Sequence, residues 1–389
     1  MRTRSRRRRL AVVQSGGPTA VVNASLLGFV EAARPAEVIG ILGGPAGLFR
    51  HRFRHVRPVG ERSNGDEILR IDPQSARRPG ALLGAGRHPF SKEDFDTAAD
   101  ALLELGINGI ALIGGNGTMY LADQLQKRFE TAESRIAVAG VPKTVDNDLL
   151  GTDHSPGFPS GARFLLQAVR DLDFDHQAML SIEQVRIVEV LGRRTGWLAV
   201  ASTLARRSAD GPHLVYVPEA PFDEVAFLKE VEATVLDRGR AFVVVSEGLS
   251  RDHEPGRFAS MVYDRPMAGG VAHVLAESVR SNLGYGVRAE VLGVVQRCAS
   301  WAVSRRDRLE ARELGAEAAR LLLEGVGGKM VGLAEGPSAG CSSTVTVDLG
   351  EVAGKTRPVP AKWLPGVAGQ IDPSFADWLR PLLGRGARR

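Results

Sequence analysis

The stretch LAVVQSGGPTAVVNASL, residues 10–26, decides how the rest of the chain is read. A short apolar strand, Leu10–Gln14, runs into a glycine-bearing turn, Ser15 to Ala20, and then into apolar residues at helical spacing from Val21 to Ala33. That order is half of a βαβ unit. The cycle recurs: AEVIGIL (36–42) reads as a strand, 92–105 as a helix with Ser91 as its N-cap, and GIALIGGNGTM (109–119) as strand, glycine turn and helix start. Further strands are predicted in RIAVAGVP (135–142), VRIVEVLG (185–192), HLVYVPE (213–219), AFVVVSEG (241–248) and AEVLGVV (289–295). Helices are predicted in FLKEVEATVLDRG (227–239) and DRLEARELGAEAARLLLEG (307–325). Strands alternating with helices predict parallel sheets covered on both faces, and their number predicts an α/β chain of two doubly wound parallel-sheet domains. The Gly/Arg-rich stretches around 52–80 and 250–270 read as loops or insertions.

Composition removes whole classes of function. With 389 residues, 43% hydrophobic and 24% charged, the chain can bury a sizeable core, which excludes a disordered chain and a single small module. Its 45 glycines favour tight turns and close backbone approach to a ligand. Cys298 and Cys341 cannot form a disulfide framework or a four-thiolate zinc site, so a reducing, cytoplasmic setting is expected. No apolar run approaches the ~18 residues of a membrane span, and no membrane association is expected. The net charge of +5 hides an asymmetry: Arg2, Arg4, Arg6, Arg7, Arg8 and Arg9 supply six positive charges, leaving −1 for the rest. Residues 1–9 read as a solvated basic tail, and without interleaved aromatics for base stacking no specific nucleic acid is expected. The eight histidines show no HExxH spacing and no GxSxG elbow occurs, so zinc hydrolysis and a hydrolase elbow lack support.

Ligands of open α/β sheets bind beyond the carboxyl ends of strands, which selects Ser15–Thr19, Gly114–Met119, Pro142–Asp148, Gly192–Trp197, Glu247 and Gln296-Arg297. The glycine loops can aim backbone N–H groups at a phosphate by a helix N-terminus, although each alone equally reads as a tight βα turn. Neither is a Walker A loop, and Gly350-x-x-x-Gly354-Lys355-Thr356 is one residue short of one, with Pro358 and Pro360 where a helix should begin. The most informative segment is Pro142-Lys143-Thr144-Val145-Asp146-Asn147-Asp148. Two carboxylates two residues apart can divide labour, one accepting a hydroxyl proton and the other holding magnesium, with Lys143 relieving their repulsion. The alternative is an Asx-type surface turn. Arg193 and Arg297 place guanidinium forks at strand ends, as polyphosphate recognition requires.

SGGPTAVVNASL, GAGR, IGGNGTM, VPKTVDNDL, EVLGRRTGW and LGVVQR occur in the order of the phosphofructokinase family, which the chain resembles from about Leu10 to Leu333. PKTVDND followed about forty residues later by EVLGRRTGW is the most specific part, and SGGPTAVVNASL is most similar to the branch with many pyrophosphate-dependent members. The resemblance implies magnesium-dependent phosphoryl transfer to the 1-hydroxyl of fructose 6-phosphate. It makes Asp146 the general base, Arg193 the group that balances transition-state charge, and Thr144, beside Lys143, a contact of the transferring group. Asp148 and the residue at Asn116 would hold the metal. Gly16, Arg87, Gly115, Asn116, Gly117 and Thr118 would form the donor site, and Leu191, Gly192, Glu247 and Arg297 would line the sugar phosphate with Thr144, Asp146 and Arg193. Arg288 would arrive from a neighbouring subunit, implying a homo-oligomer, dimer or tetramer. The implied organisation is a tail (1–9), a phosphoryl-donor domain (10–152, with part of 298–350 packing back on it), a sugar-phosphate domain (153–297) and a C-terminal segment (351–389).

The departures bear on substrate and donor. Asn116 stands where many family members have aspartate, Val294 where a histidine contacts the sugar, Gln184 where a second cross-subunit arginine is expected, and Leu191 where methionine is usual. Arg186, two residues on, would share the strand face of position 184. Gly117 leaves room for the α-phosphate of ATP, whereas Lys143 could take over that phosphate's charge role as in pyrophosphate enzymes. ATP is the expected donor, with pyrophosphate, or sedoheptulose 7-phosphate as acceptor, as alternatives. Asp146, Asp148 and Arg193 together argue against a catalytically silent regulatory homologue.

Overall fold

The computed structural model describes residues 7–59, 68–86, 88, 90–131, 136–206, 210–249, 260–262, 265–267, 270–335, 342–366 and 369–384. Its strands, in chain order, are β1 Arg9–Gln14, β2 Glu37–Ile41, β3 Phe53–Pro58, β4 Leu69–Ile71, β5 Gly109–Gly114, β6 Ala137–Pro142, β7 Val185–Val190, β8 Leu214–Tyr216, β9 Ala241–Ser246, β10 Ser260–Val262, β11 Arg265–Met267, β12 Val287–Val291, β13 Lys329–Glu335 and β14 Ser342–Asp348. The chain divides into two compact units. The first runs to Thr144 and adds Leu149–Gly157 and Val303–Thr356, and the second comprises Val145–Asp148, Phe158–Ala302 and the chain from Arg357.

The first unit is built on an eight-stranded sheet in the order β14-β13-β6-β5-β1-β2-β3-β4. Neighbours run parallel except β2 with β3 and β13 with β14. β5 and β6 are buried at every position, as strands covered on both faces must be. On one face Val12, Ala111 and Ala139 pack with Leu26 and Phe29 of the helix Val22–Ala32 and Leu314 and Leu322 of the helix Arg305–Glu324. On the other, Val13, Ile110 and Leu112 meet Ala98 and Leu102 of the helix Lys92–Glu104 and Leu121 and Leu125 of the helix Asn116–Thr131. Ser91 caps its helix as expected, its hydroxyl accepting from Asp94 N at 3.2 Å while the Asp94 carboxylate accepts from Ser91 N. Two glycines let helices touch: a Cβ on Gly28 would lie 1.8 Å from Arg312 O, and one on Gly315 1.9 Å from Ser25 O.

A buried imidazole fixes the segment 149–157 to the helix Arg305–Glu324. His154 is fully buried between Asp153 at Nδ1 and Glu310 at Nε2, both at 2.8 Å, and Glu310 also accepts from Arg306 and Ser342. Burial pushes the imidazole pKa down, but the bonds to Asp153 and Glu310 outweigh it and raise the value.

The second unit holds a parallel sheet in the order β12-β7-β9-β8 and the antiparallel pair β10–β11. Val188, Val190 and Val244 pack on the helices Phe158–Ala178 and Trp197–Ser202, and Ile187, Val243 and Val245 on Glu224–Arg238 and Val271–Leu283. The first face also takes in Trp363, Phe375 and Leu379, and Trp197 meets Trp363 at 6.0 Å between ring centroids.

Several expectations change. Residues 7–9 of the tail are ordered: Arg9 opens β1 and pairs with Glu37 at 2.8 Å, and Arg7 donates to Pro35 O and Arg34 O. Residues 1–6 lie outside the described residues. The compact units do not follow the expected boundaries, since 145–148 and the chain from 357 belong with the second unit and 153–157 with the first. Alternating strands and helices on both sides of these joints leave no compositional mark of the change. The stretch 52–80 contains β3 and the edge strand β4, whose Arg, His and Pro content imitates a loop. AEVLGVV is not one strand: β12 ends at Val291, Gly293 takes φ +55°, and Val295–Cys298 winds as a helical turn. A short apolar run does not tell strand from helix.

Removing residues 1–9 should therefore lower Tm, by about 1 °C for each ~1 kcal/mol of lost contacts in a chain of 389 residues. An unchanged Tm in a scanning melt would mean that Arg7–Arg9 add no stability.

Candidate active site

In the first unit the carboxyl ends of β1, β5 and β6 lie side by side, and the chain order reverses between β1, which continues to β2, and β5. Three segments emerge there. Gly16, at φ +73°, donates its N–H to Gly86 O at 2.9 Å. Gly115 precedes the helix Asn116–Thr131, and its carbonyl accepts from Thr118 N and Met119 N. A Cβ at Gly114 would lie 2.1 Å from Thr118 Oγ1, whereas one at Gly117 would meet nothing within 4 Å. Lys143 follows β6; its N–H donates to Gly114 O at 2.9 Å and its buried ammonium to Ser15 O at 2.7 Å and Gly17 O at 2.8 Å. One cation thus joins the loop after β1 to the end of β6. The structure brings Gly16, Gly115, Asn116, Gly117, Thr118, Lys143 and Thr144 to one sheet edge, while Arg87 lies outside the described residues.

In the second unit Asp146 and Asp148 are half-buried on either side of Asn147, which adopts φ +55°, a left-handed conformation uncommon outside glycine. The Asp146 carbonyl accepts from Thr195 Oγ1 at 3.2 Å and the Asp148 carbonyl from Arg357 N at 2.9 Å. The loop 191–196 leaves β7 beside the end of β9. Gly192 takes φ +137°, where a Cβ would lie 2.3 Å from Thr195 O, and its carbonyl accepts from Ser246 Oγ at 2.5 Å. Leu191 N donates to the Gln296 side chain at 3.2 Å, and Arg193 is exposed. Glu247 follows β9, and burial first, then the nearby Asp146 charge, pushes its pKa up to about 7 against the pull of Gly192 N–H and Arg193.

The arginines differ from expectation. Arg297 sits in the turn Val295–Cys298, not directly on a strand end, so no extended strand separates it from Arg288. Arg288, on edge strand β12, is ion-paired to Glu183, its Nε at 2.7 Å. Its neighbour in register, Arg186, is fully buried on Glu183, Asp175 and Leu172 O, so it does not stand in for an exposed arginine at 184. Gln184 is itself held by backbone, accepting from Gly286 N and donating to Leu180 O. Glu183 lies well below the usual carboxylate range because of Arg288 foremost and Arg186 after it.

Thr195 falls within the selected span Gly192–Trp197 but is given no role there, and Arg357 escapes the sequence reading altogether. Thr195 lies inside the EVLGRRTGW motif, where the hydroxyl could have been noticed, whereas nothing local marks Arg357, far along the chain from Asp148. Among the described residues, no group of three or more His, Cys, Asp and Glu side chains is arranged to hold a metal ion, and no helix is long and apolar enough to cross a membrane.

Comparison with known proteins bears on the family and the fold. The family model described as phosphofructokinase matches residues 9–322. A sulfofructose kinase of Alkalicoccus urumqiensis is 39% identical over 84% of this chain and 83% of its own. An ATP-dependent 6-phosphofructokinase of Spirochaeta thermophila is 32% identical over 91% of this chain and 93% of its own. The crystal structure of a pyrophosphate-dependent phosphofructokinase from Marinobacter aquaeolei superposes with a TM-score of 0.83 at 29% identity, covering 97% of this chain and 92% of that one.

The position of Glu247 gives a stability test. The folded carboxyl holds its proton up to about 7 and the unfolded one releases it near 4.5, so the folded state binds more protons in between and stability falls as pH rises through that window. Denaturant melts of Glu247→Gln should lack this fall; parallel pH profiles for the two proteins would contradict the assignment.

Proposed function

This chain belongs to the phosphofructokinase family, and on that premise we propose that it transfers a phosphoryl group from ATP to the 1-hydroxyl of fructose 6-phosphate. What carries the reading is the pair Asp146 and Asp148, half-buried about a left-handed Asn147 with both carbonyls hydrogen-bonded. Asp146 would take the proton of the 1-hydroxyl as that oxygen attacks the terminal phosphorus, and the bond to the leaving diphosphate breaks with its electron pair going to ADP. Arg193 would balance the charge spread over the transferring oxygens, and Thr144 and Lys143 would orient that group. Gly115 and Thr118 would hold the donor on a backbone N–H group and a hydroxyl, and Gly16, whose N–H is bound to Gly86 O, would line the same site. Leu191, Gly192, Glu247 and Arg297 would line the acceptor.

Asp148 and Asn116 offer oxygen ligands, the class a hard cation takes, and magnesium that binds mainly through phosphates and water needs only one or two from protein. When bound, it would neutralise charge on the donor phosphates. In this reading Arg288 serves the active site of a second copy in a homo-oligomer, which requires it to leave Glu183.

Support for ATP comes from the open space at Gly117 and from the Lys143 ammonium being drawn onto the Ser15 and Gly17 carbonyls. Pyrophosphate is the second reading, favoured by the likeness to the pyrophosphate-dependent Marinobacter enzyme over 97% of this chain. For the acceptor, Gln184 and the Glu183-paired Arg288 leave less free positive charge for a C6 anion than the family pattern implies. That observation favours, as the second reading, a fructose bearing a less charged C6 group, such as the sulfofructose in the name of the Alkalicoccus relative.

Asp146→Asn keeps the shape but cannot accept the proton, and kcat should fall ~10²–10⁴-fold in a coupled assay. Near-normal turnover would remove Asp146 from the role of base. Gly117→Asp should depress ATP-dependent turnover much more than pyrophosphate-dependent turnover, because the new carboxylate meets an α-phosphate only in the nucleotide. Equal losses with both donors would contradict the donor model.

A further inference from the structure

Two hydrogen bonds hold the carbonyls on either side of Asn147, and they come from distant parts of the chain: Thr195, in the loop after β7, and Arg357, beyond the residues matched by the family model. Both lead to one carboxylate. Glu219, two residues past Val217 at the end of the β8 segment, accepts from Gly196 N at 3.0 Å with each of its oxygens, and its Oε1 also accepts from Val359 N at 3.0 Å. Gly196 is next to Thr195, and Val359 is two residues from Arg357. The fit is close, since a Cβ on Gly196 would lie 3.1 Å from Glu219 Oε2 and 2.3 Å from Val217.

The surroundings show that both strands of chain are held at this point. Trp197, fully buried, donates from Nε1 to Arg357 O at 3.1 Å, and the Arg357 guanidinium stacks over the same indole at 4.4 Å. Burial raises the Glu219 pKa, and the Val359 and Gly196 N–H groups oppose it. Such a group is costly unless its hydrogen bonds are made, and here they are made to the two segments that support Asp146 and Asp148.

We propose that Glu219 is a positioning residue for phosphoryl transfer: by accepting from Gly196 and Val359 it sets, together, the loop that carries Arg193 and Thr195 and the stretch whose Arg357 N–H holds Asp148. The inference rests on the phosphotransferase reading of that site. Glu219 acts through its neighbours, and its effect belongs mainly in the chemical step: base and charge-balancing arginine shift relative to the reacting atoms, while Glu247 and Arg297, outside that loop, keep their hold on the acceptor.

The test is steady-state kinetics of the full-length protein with whichever donor and acceptor the wild type turns over, scaled to folded protein by thermal melts. Glu219→Ala should lower kcat ~10–100-fold, the cost of an ångström-scale misplacement, with acceptor and donor KM within about twofold. Glu219→Gln keeps one carbonyl oxygen able to accept from both Gly196 and Val359 and should recover most of the loss. Thr195→Val, which removes only the bond to Asp146 O, should lower kcat by a smaller factor, and it carries the test should Glu219→Ala not fold. Added to Arg193→Ala, the Glu219→Ala change should cost much less than it does in the wild type, because part of its effect runs through that arginine. Wild-type kcat in Glu219→Ala or Thr195→Val, or a change confined to KM or Tm, overturns the positioning role. A folded wild type that phosphorylates no sugar acceptor overturns the functional reading and this inference with it.

Discussion

A parallel sheet delivers the carboxyl ends of its strands to one edge, and the candidate site depends on that constraint in each unit. In the first, the edge where β1, β5 and β6 end carries three loops, and the buried Lys143 ammonium holds two of them together through Ser15 and Gly17 carbonyls. In the second, β7 and β9 end beside each other and bring Gly192, Arg193 and Glu247 out together. Residues that chemistry needs can then be far apart in sequence without long loops, because the sheet does the gathering.

Much of this was legible in the sequence because strand ends can be read from local pattern. The glycine turns after β1 and β5, the PKTVDND segment after β6 and the GRRTG loop after β7 all follow short apolar runs, and three of them lead into helical patterns, an alternation that marks those runs as strands. What stayed hidden is non-local. Arg357 and Val359 act on segments well over a hundred residues away, and the pairing of Arg288 with Glu183 reflects which groups happen to neutralise one another across β7 and β12. Charge pattern along the chain cannot reveal it: Arg186 and Arg288 look alike in sequence, yet one is sealed inside and the other half-exposed.

The family's reaction imposes opposite demands on these groups. In the proposed reading a base and a metal ligand must remain accessible, while the backbone that aims them must not move. Asp146 and Asp148 keep part of their surface open, and their carbonyls, which face inward, are hydrogen-bonded. Glu247 shows the cost of burying a carboxyl near another: its proton is retained to about pH 7. In the proposed reading Gly117 and Lys143 would bear on the donor, and Gln184, Val294 and Arg288 on the acceptor, so the two choices would rest on separate residues.

The central claim is phosphoryl transfer to the 1-hydroxyl of a ketose carrying an anionic C6 group. The most direct measurement is phosphorus NMR of the purified full-length protein with magnesium and fructose 6-phosphate or sulfofructose, each with ATP and with pyrophosphate. The account predicts consumption of ATP and a new phosphomonoester signal coupled to the C1 protons. Folded protein that forms no such ester from any of these combinations would contradict it.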